Sequence, residues 1–484
     1  MKVALVLSPF LYKRCPLIGL AYLSAYLKNK GFEVAVFDLN AEMEVPNEGE
    51  ERVWADESFV ERFFNKSYSI FESQAEKILD SGAEIIGFSM WTTTRYTSLA
   101  LAKMIKRIDS DRLVILGGPE CSFVGESFIR EEAVDMVVRG EGEETIADIA
   151  RRYQEYKKVN FCPGTLLKIE DKVIDCGYRD EIENLDSLPF PDFSGFLLNK
   201  YYFPHALPVM FNRGCFGHCV FCNTPLTWKR CRFRSAENIY KEILQQIKDY
   251  PDIRKLEIDD TALNLNLKEL SKLCDLINTR GLKIDWGGSA IINPQMDYNL
   301  LTKMAQAGCS SLAYGLESGS QKVIDAMRKG FKIEDAQRVI RDTHNAGIKV
   351  LLNIIIGFPN ETEHDFIKTM DFIKRNMEYI FFIAFPSECW IGNTSYLHTH
   401  SKEFNVDLRE CGDRWESKDR LNTHEERLER IKIFNDFIYS LGIPLSNCAS
   451  IVKQHNNLFK DSKDSKDSKD SKDSKDSKDY KEAA

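Results

Sequence analysis

Three cysteines stand close together in Asn212-Arg-Gly-Cys-Phe-Gly-His-Cys-Val-Phe-Cys-Asn223, spaced Cys-x3-Cys-x2-Cys. Thiolates are soft ligands, and three on one short loop can each take one iron of a [4Fe–4S] cube. The fourth iron then has no protein thiolate and stays open to a small molecule. Gly214 and Gly217 let the loop curl around such a cube. One alternative is a zinc site with Cys231 or His218 as fourth ligand. The other is a set of unrelated buried thiols. No other pair among the thirteen cysteines has the spacing of a second cluster, and the single ones read as inert buried thiols.

Other residues able to bind ligands come in short groups. In the first third of the chain these are Ser8-Pro-Phe with Pro16-Leu-Ile-Gly19, Ser89-Met-Trp-Thr-Thr-Thr94, Gly117-Gly-Pro-Glu120 and Arg139-Gly-Glu-Gly-Glu143. Glycine lets backbone approach a bulky ligand, and Ser and Thr hydroxyls bind phosphate or amide groups. After the cysteines come Glu257-Ile-Asp-Asp260, Ser289, Gly315-Leu-Glu-Ser-Gly-Ser320, Asn353 and Gly357-Phe-Pro359. Each ends an apolar run.

Those runs predict the elements that position these groups. Residues 1–155 alternate strand and helix, with strands at 3–8, 33–38, 85–89, 113–116 and 136–138. This predicts a parallel, doubly wound, flavodoxin-like sheet, whose ligand lies outside the C-terminal strand ends at the switch point between the first and third strands. Residues 40–72 read as an insertion, 160–176 as a hairpin, and 156–204 as hairpin plus linker. A second series has strands near 208–212, 254–259, 282–287, 311–315, 348–355 and 379–385. It predicts a partial (β/α)6 barrel over 205–397, with functional groups at the strand C-termini. Residues 398–459 read as a small, mostly helical cap, and the Lys-Asp-Ser repeats at 460–484 as a disordered tail.

The chain has 484 residues, 43% of them apolar and 29% charged, with net charge -9. That composition is globular, and nothing in it suggests a nucleic-acid binder. No apolar run reaches the ~20 residues of a membrane span, and the start lacks a signal-peptide layout. A cytoplasmic location is the expectation.

On the cysteine motif and the strand ends behind it, residues 205–397 resemble the radical S-adenosylmethionine (SAM) superfamily. The resemblance implies that Cys215, Cys219 and Cys222 ligate the cluster and that the open iron is chelated by the amino and carboxylate groups of SAM. Reductive cleavage of SAM then yields a 5′-deoxyadenosyl radical. It also implies that Phe221 flanks the adenine and that Asp259 and Asp260 lie near the SAM amino end. Ser289 ends the third strand. Related sequences often carry an Arg just after it, where this chain has Ala290-Ile-Ile-Asn, so the SAM carboxylate is left without that partner. Glu317 and Ser318 match the ribose-contacting segment, and Asn353 and Gly357 the adenine wall.

Residues 1–150, in front of such a core, resemble the cobalamin-binding domain of one subfamily. This places Ser8, Pro16, Gly19, Ser89, Thr92, Thr93, Gly117, Gly118, Pro119, Glu120, Gly140, Glu141 and Gly142 around cobalamin. All eight histidines lie at or beyond His205, so this domain offers no histidine to cobalt. The implied activity is methylation of an unactivated carbon or phosphorus centre of a small molecule, with methylcobalamin as methyl donor. A one-electron donor such as flavodoxin or ferredoxin is the implied partner. The rivals are a cobalamin radical enzyme that cyclises or rearranges a ring, and a non-catalytic cluster- or corrinoid-binding redox protein.

Overall fold

A computed structural model describes residues 1–46, 51–54, 56–170, 172–384, 386–408, 412 and 414–446. The Lys-Asp-Ser tail, residues 447–459 of the expected cap, and Cys411 and Cys448 lie outside the described residues.

The first domain is an α/β sheet of seven strands. They are β1 (Lys2–Leu7), β2 (Glu33–Asp38), β3 (Ile85–Ser89), β4 (Leu113–Gly117), β5 (Met136–Val138), β6 (Thr165–Ile169) and β7 (Lys172–Asp175), and they lie in the order β2-β1-β3-β4-β5-β6-β7. The first five are parallel, with β1 between β2 and β3. This is the doubly wound order with its switch point at β1/β3. The hairpin read at 160–176 extends this sheet, because β6 runs antiparallel to β5 and β7 to β6. Alternation along β1 divides the core. Val3, Leu5 and Leu7 face the helices Ile18–Asn29 and Glu143–Tyr156, while Ala4 and Val6 face the other helical layer.

The second domain follows a linker. Its strands β8 (Ala206–Val209), β9 (Asn212–Arg213), β10 (Arg232–Phe233), β11 (Lys255–Ile258), β12 (Asp285–Ala290), β13 (Cys309–Glu317), β14 (Lys349–Ile356) and β15 (Phe382–Ala384) continue the chain order, followed by β16 (Ser387–Glu388), β17 (Val406–Asp407), β18 (Glu416–Ser417) and β19 (Leu445–Ser446). A parallel sheet runs β8-β11-β12-β13-β14-β15-β19. The expected six-stranded partial barrel thus gains a seventh strand from the C-terminal region. After the helix His424–Ser440, the chain returns to pair β19 with β15.

One continuous apolar cluster joins the two domains. It runs from Val3 and Leu5 through linker residues Phe193, Phe196 and Tyr201 to Leu207, Val209 and the barrel strands. The domains therefore share a core, which fixes how the two sets of strand ends face one another.

Candidate active site

Along β14, Val350, Leu352, Ile354 and Ile356 are buried against helices, while Lys349, Leu351, Asn353 and Ile355 are only half-buried. The second set faces the barrel lumen. On β12 and β13 that face carries the small residues Ser289, Ser311, Ala313 and Gly315, also half-buried. Small side chains keep the lumen open. Register brings the expected SAM residues together, with Ser289 opposite Ala313 and Gly315 opposite Asn353.

The cysteine loop leaves the short ribbon formed by β9 and β10. Gly214 has φ +90°, and a Cβ there would lie 2.6 Å from the Arg230 carbonyl oxygen, so glycine is required for the turn. A Cβ on Gly217 would meet the sulfurs of both Cys215 (3.3 Å) and Cys219 (3.7 Å), so these two thiols border one point. The Gly217 N–H donates to Cys215 Sγ (3.2 Å), and the Thr224 N–H to Cys222 Sγ (3.4 Å). Fully buried Val220 pins the middle of the loop. Its N–H donates to the Met327 carbonyl (3.2 Å) and its carbonyl accepts from Leu397 (2.8 Å). His218 is exposed. Among the described residues no three His, Cys, Asp or Glu side chains converge on a single-ion site. Three half-buried thiols on one curled loop suit a cube of iron and sulfur.

The carboxylates divide. Asp259 lines the cleft described below. Asp260 accepts from the Phe211 N–H (2.9 Å) and from Asn212 Nδ2 (2.8 Å), and burial raises its carboxyl well above the usual range. It anchors the strand that enters the cysteine loop, which engages the oxygens expected to meet the SAM amino group. Glu317 ends β13 at φ +66° and pairs with Lys329 Nζ at 3.0 Å. Burial alone would push the Lys329 ammonium down, but Glu317 and the thiols of Cys219 and Cys222 hold it raised. The ammonium lies 5.8 Å from the centre of the half-buried Phe221 ring. Ser318 is fully buried, and its hydroxyl meets Thr369 Oγ1 (3.1 Å) and accepts from the Ser320 N–H (3.1 Å). It ties the strand end to the helix Glu363–Arg375 rather than facing the lumen. Gly357 has φ +75°, and a Cβ there would collide with Arg427 Cγ at 2.3 Å. The C-terminal helix thus packs against the Gly357 loop, and Asn422 Nδ2 donates to the Gly357 carbonyl (3.1 Å).

A cleft of about 1400 Å³, counting its open mouth, lies over the C-terminal edge of the first sheet. Gly19, Ser89, Gly117, Gly118, Pro119, Gly140, Glu141 and Gly142 line it, and so do Asn212, Arg213, Asp259 and Asp260 of the second domain. Ser8, Pro16, Thr92, Thr93 and Glu120 are not among the lining residues. Thr92 Oγ1 donates to Glu120 Oε2 (2.8 Å), and Thr93 Oγ1 to the Phe10 carbonyl (2.5 Å), which engages those polar atoms within the protein. A Cβ on Gly19 or Gly140 would meet nothing within 4 Å. Trp91 lines the cleft, and its buried indole N–H has no protein acceptor among the described residues. The buried Ser8 hydroxyl, just after β1 and outside the lining, also has no partner among the described residues. Open glycine shelves, apolar walls and the orphaned Trp91 donor fit a large, partly polar ring such as cobalamin.

A buried ionic quartet joins the two sites. Arg213, two residues before Cys215, donates from Nη1 to Glu141 Oε1 (2.8 Å) and from Nη2 to Glu143. Arg232 Nη1 reaches Glu141 Oε2 at 3.0 Å. All four side chains are buried. The Glu141 carboxylate is thus committed to arginines and to the Ile182 N–H (2.6 Å). Sequence reasoning missed Lys329, Trp91 and both arginines. Arg213 sits inside the motif stretch, and its charge beside the cysteines was the one signal available.

Two family models match in chain order, the B12 binding domain over residues 11–150 and the radical SAM superfamily over residues 209–373. An uncharacterized methyltransferase of Pyrococcus horikoshii is 30% identical over 323 residues, which is 65% of this chain and 70% of that protein. An anaerobic magnesium-protoporphyrin IX monomethyl ester cyclase of Rubrivivax gelatinosus is 26% identical over 72% of this chain, and the chain spans 60% of that cyclase. The solved structure of the radical SAM methyltransferase TsrM from Kitasatospora setae, with cobalamin and a [4Fe–4S] cluster bound, shares the fold. Its TM-score is 0.63 at 16% identity, covering 80% of this chain and 74% of that one. With both models in this order and a relative matched over most of its length, the chain belongs to the cobalamin-dependent radical SAM enzymes, whose cofactors are a [4Fe–4S] cluster, SAM and cobalamin.

Proposed function

We propose that the protein transfers a methyl group to an unactivated carbon, or phosphorus, centre of a small molecule. The observation that carries this reading is the cleft lined from both domains. Its lining takes in Gly19, Ser89 and Gly117 of the first domain and Arg213, Asp259 and Asp260 of the second, which sets a substrate there beside the ribbon that enters the cysteine loop. When bound, the cluster with SAM supplies a radical and cobalamin supplies the methyl group.

The chain's own residues hold and enclose. Cys215, Cys219 and Cys222 hold the cluster. Leu5, Leu17, Ile18, Ile115, Val138 and Ile146 give the cleft an apolar wall that excludes water. Trp91 Nε1 and the Ser89 hydroxyl supply hydrogen bonds to a polar rim. Phe221 flanks the adenine, and Ser289, Glu317 and Asn353 border SAM in the lumen. No general acid or base is assigned, because the cofactors carry the bond-breaking. A soluble one-electron donor such as flavodoxin or ferredoxin feeds the cluster. Among the described residues no helix is long and apolar enough to cross a membrane.

The test is anaerobic purification with added cobalamin, then incubation with SAM bearing a trideuterated methyl group. A product heavier by one labelled methyl, formed together with 5′-deoxyadenosine, is the expected result. The similarity to the cyclase keeps ring formation as a second reading. Substrate turnover with 5′-deoxyadenosine and no methyl gain would replace methylation by cyclisation.

A further inference from the structure

The segment between β1 and the helix Ile18–Asn29 brings Leu17, Ile18 and Gly19 to the cleft. Just before them it sends Arg14 across to the second domain. The Arg14 Nη2 donates to Glu257 Oε2 (2.5 Å), and the guanidinium carbon lies 5.9 Å from the centre of the Phe203 ring. The loop is pinned from behind, because the Lys13 and Arg14 carbonyls accept from the Tyr202 and Phe203 N–H groups (2.8 and 3.3 Å). On β11, Glu257 stands between the core residues Leu256 and Ile258 and so faces the lumen. Register sets it level with Gly287, Ser311 and Lys349. Gly315 and Asn353, at the mouth, lie four residues further along their strands, roughly 13 Å away. The Arg14–Glu257 pair is therefore below the mouth, and the first domain supplies its cation.

The two partners are unequal. The Glu257 side chain is 6% exposed and also meets Lys255 Nζ at 2.7 Å, whereas that of Arg14 is 51% exposed. Among the described residues Nε and Nη1 of Arg14 meet no acceptor. The small, half-buried Ser289, Ser311 and Ala313 leave space beside it. Asp259 lines the cleft two residues beyond Glu257, about 7 Å along the chain. Burial raises the Asp259 carboxyl, and Arg14 is the cation that opposes this rise. A ligand in the cleft is thus within reach of a braced guanidinium with an open edge, which is the fork that matches a carboxylate or phosphate. We propose that Arg14 holds an anionic group of the substrate, at the end remote from the atom that receives the methyl group. The inference rests on the reading that the substrate is methylated in this cleft. It makes the substrate an acid, and it places part of the substrate's binding energy away from the reacting centre. Asp259 is left to the SAM amino end, as the family resemblance implies, and does not compete for Arg14.

Two arms test it. In the first, full-length holoenzyme loaded with cluster, cobalamin and SAM is treated anaerobically with phenylglyoxal, and modification of Arg14 is followed by peptide mass. The added probes are succinate, inorganic phosphate and the neutral succinamide, with the exposed Arg62 as reference. Near saturation, succinate or phosphate slows the reaction at Arg14 about tenfold, as occupancy requires, and leaves Arg62 unchanged. The tighter of the two tells carboxylate from phosphate. Equal protection by succinamide, or none by either anion, would overturn the proposal. In the second arm, wild type, Arg14→Met and Arg14→Lys receive SAM with a trideuterated methyl group and a small-molecule extract of the source cells, and products are fractionated by anion exchange. The labelled product is retained on the exchanger. Its yield falls roughly 10–100-fold in Arg14→Met, the range for losing a hydrogen bond between charged groups, and returns in part in Arg14→Lys. Iron and cobalamin contents stay at the wild-type level. Labelled product that is not retained would overturn the proposal. So would cofactor loss in step with product loss, because Arg14 would then only hold the domains together. Wild type that makes 5′-deoxyadenosine but no labelled product would remove the methyl-transfer reading beneath the proposal, and the phenylglyoxal arm then decides alone whether Arg14 binds anions.

Discussion

The two cofactor sites are built from different material. The cleft over the first sheet is made of backbone and apolar wall. Gly19, Gly117, Gly118, Gly140 and Gly142 line it, and its first-domain carboxylates Glu141 and Glu143 are both taken by Arg213. The mouth of the barrel is made of functional side chains: three thiols, the Lys329–Glu317 pair and the anchoring Asp260. A site built from side chains fails when one atom is removed. A site built from backbone fails when an atom is added. The fold joins them through the ionic quartet, so damage there should reach both.

The largest effect belongs to the side-chain site. Cys219→Ala should lose the cluster, seen as a fall in bound iron and in its visible absorbance, and SAM cleavage should drop to background. Cobalamin binding should stay within about twofold of wild type, because no lining residue of the cleft is touched. A variant that kept a full cluster and normal cleavage would remove Cys219 from the ligand set.

Next comes the joint between the sites. Arg213→Met leaves Glu143 without its arginine and Glu141 with Arg232 alone, in surroundings where all are buried. Breaking a buried ionic group by removing one partner costs about 3–5 kcal/mol. Urea unfolding should show that loss, and both cobalamin uptake and cluster yield should fall together. A loss under about 1 kcal/mol, or damage confined to one cofactor, would mean that the sites are not mechanically joined at this point.

The contrast also explains what could be read in the sequence. The cysteine loop was legible because ligation fixes residue type and spacing within eight positions. The strands were legible by their period, and the glycine turns by their place after each strand. Contacts made by long side chains across the fold were not. Lys329 meets Glu317 from beyond an intervening helix, and Arg213 meets Glu143 across 70 residues, with no periodic signal in either case. Ser318 and Asp260 sit inside the expected motifs yet serve the scaffold, because a hydroxyl or carboxylate near a strand end can equally tie down the neighbouring backbone. The seventh barrel strand was missed for another reason. Two residues, Leu445 and Ser446, carry no alternation to detect.

A pH effect should mark the charged side of the molecule. Glu361 is buried and accepts from the Gly357 N–H (2.7 Å), and burial raises its carboxyl to about 7, opposed by that hydrogen bond and by Arg430. The folded state thus keeps a proton that the unfolded state releases near 4.5. Its contribution is complete below the unfolded value and is lost as pH rises through about 7. Between pH 5 and 8 the apoprotein should lose on the order of 1–3 kcal/mol more stability than Glu361→Gln, which keeps an acceptor for Gly357 and has no proton to lose. Parallel pH profiles for the two proteins would show that Glu361 does not set the slope.

The smallest structural change gives the sharpest test of the backbone-built site. Gly118 and Gly19 both line the cleft, but added methyl groups there meet different surroundings. At Gly118, with φ +100°, a Cβ would lie 2.9 Å from both the nitrogen and the oxygen of Met90, which are backbone atoms that cannot rotate away. Gly118→Ala should therefore cost about 2 kcal/mol or more in the apoprotein, before any ligand is present. At Gly19 a Cβ would meet nothing within 4 Å, and the residue sits in the first turn of the helix Ile18–Asn29. Alanine there should leave stability unchanged or raise it by about 0.5 kcal/mol, since alanine is the better helix former. If the cleft holds cobalamin against this turn, the same methyl group occupies ligand space, and affinity should fall about tenfold or more, which is about 1.4 kcal/mol. Thermal unfolding and equilibrium binding on one preparation separate the two effects. A Gly19→Ala protein that binds cobalamin as tightly as wild type would show that the ligand does not rest on this helix turn, and the wall facing it would have to be sought along Gly117 and Gly140.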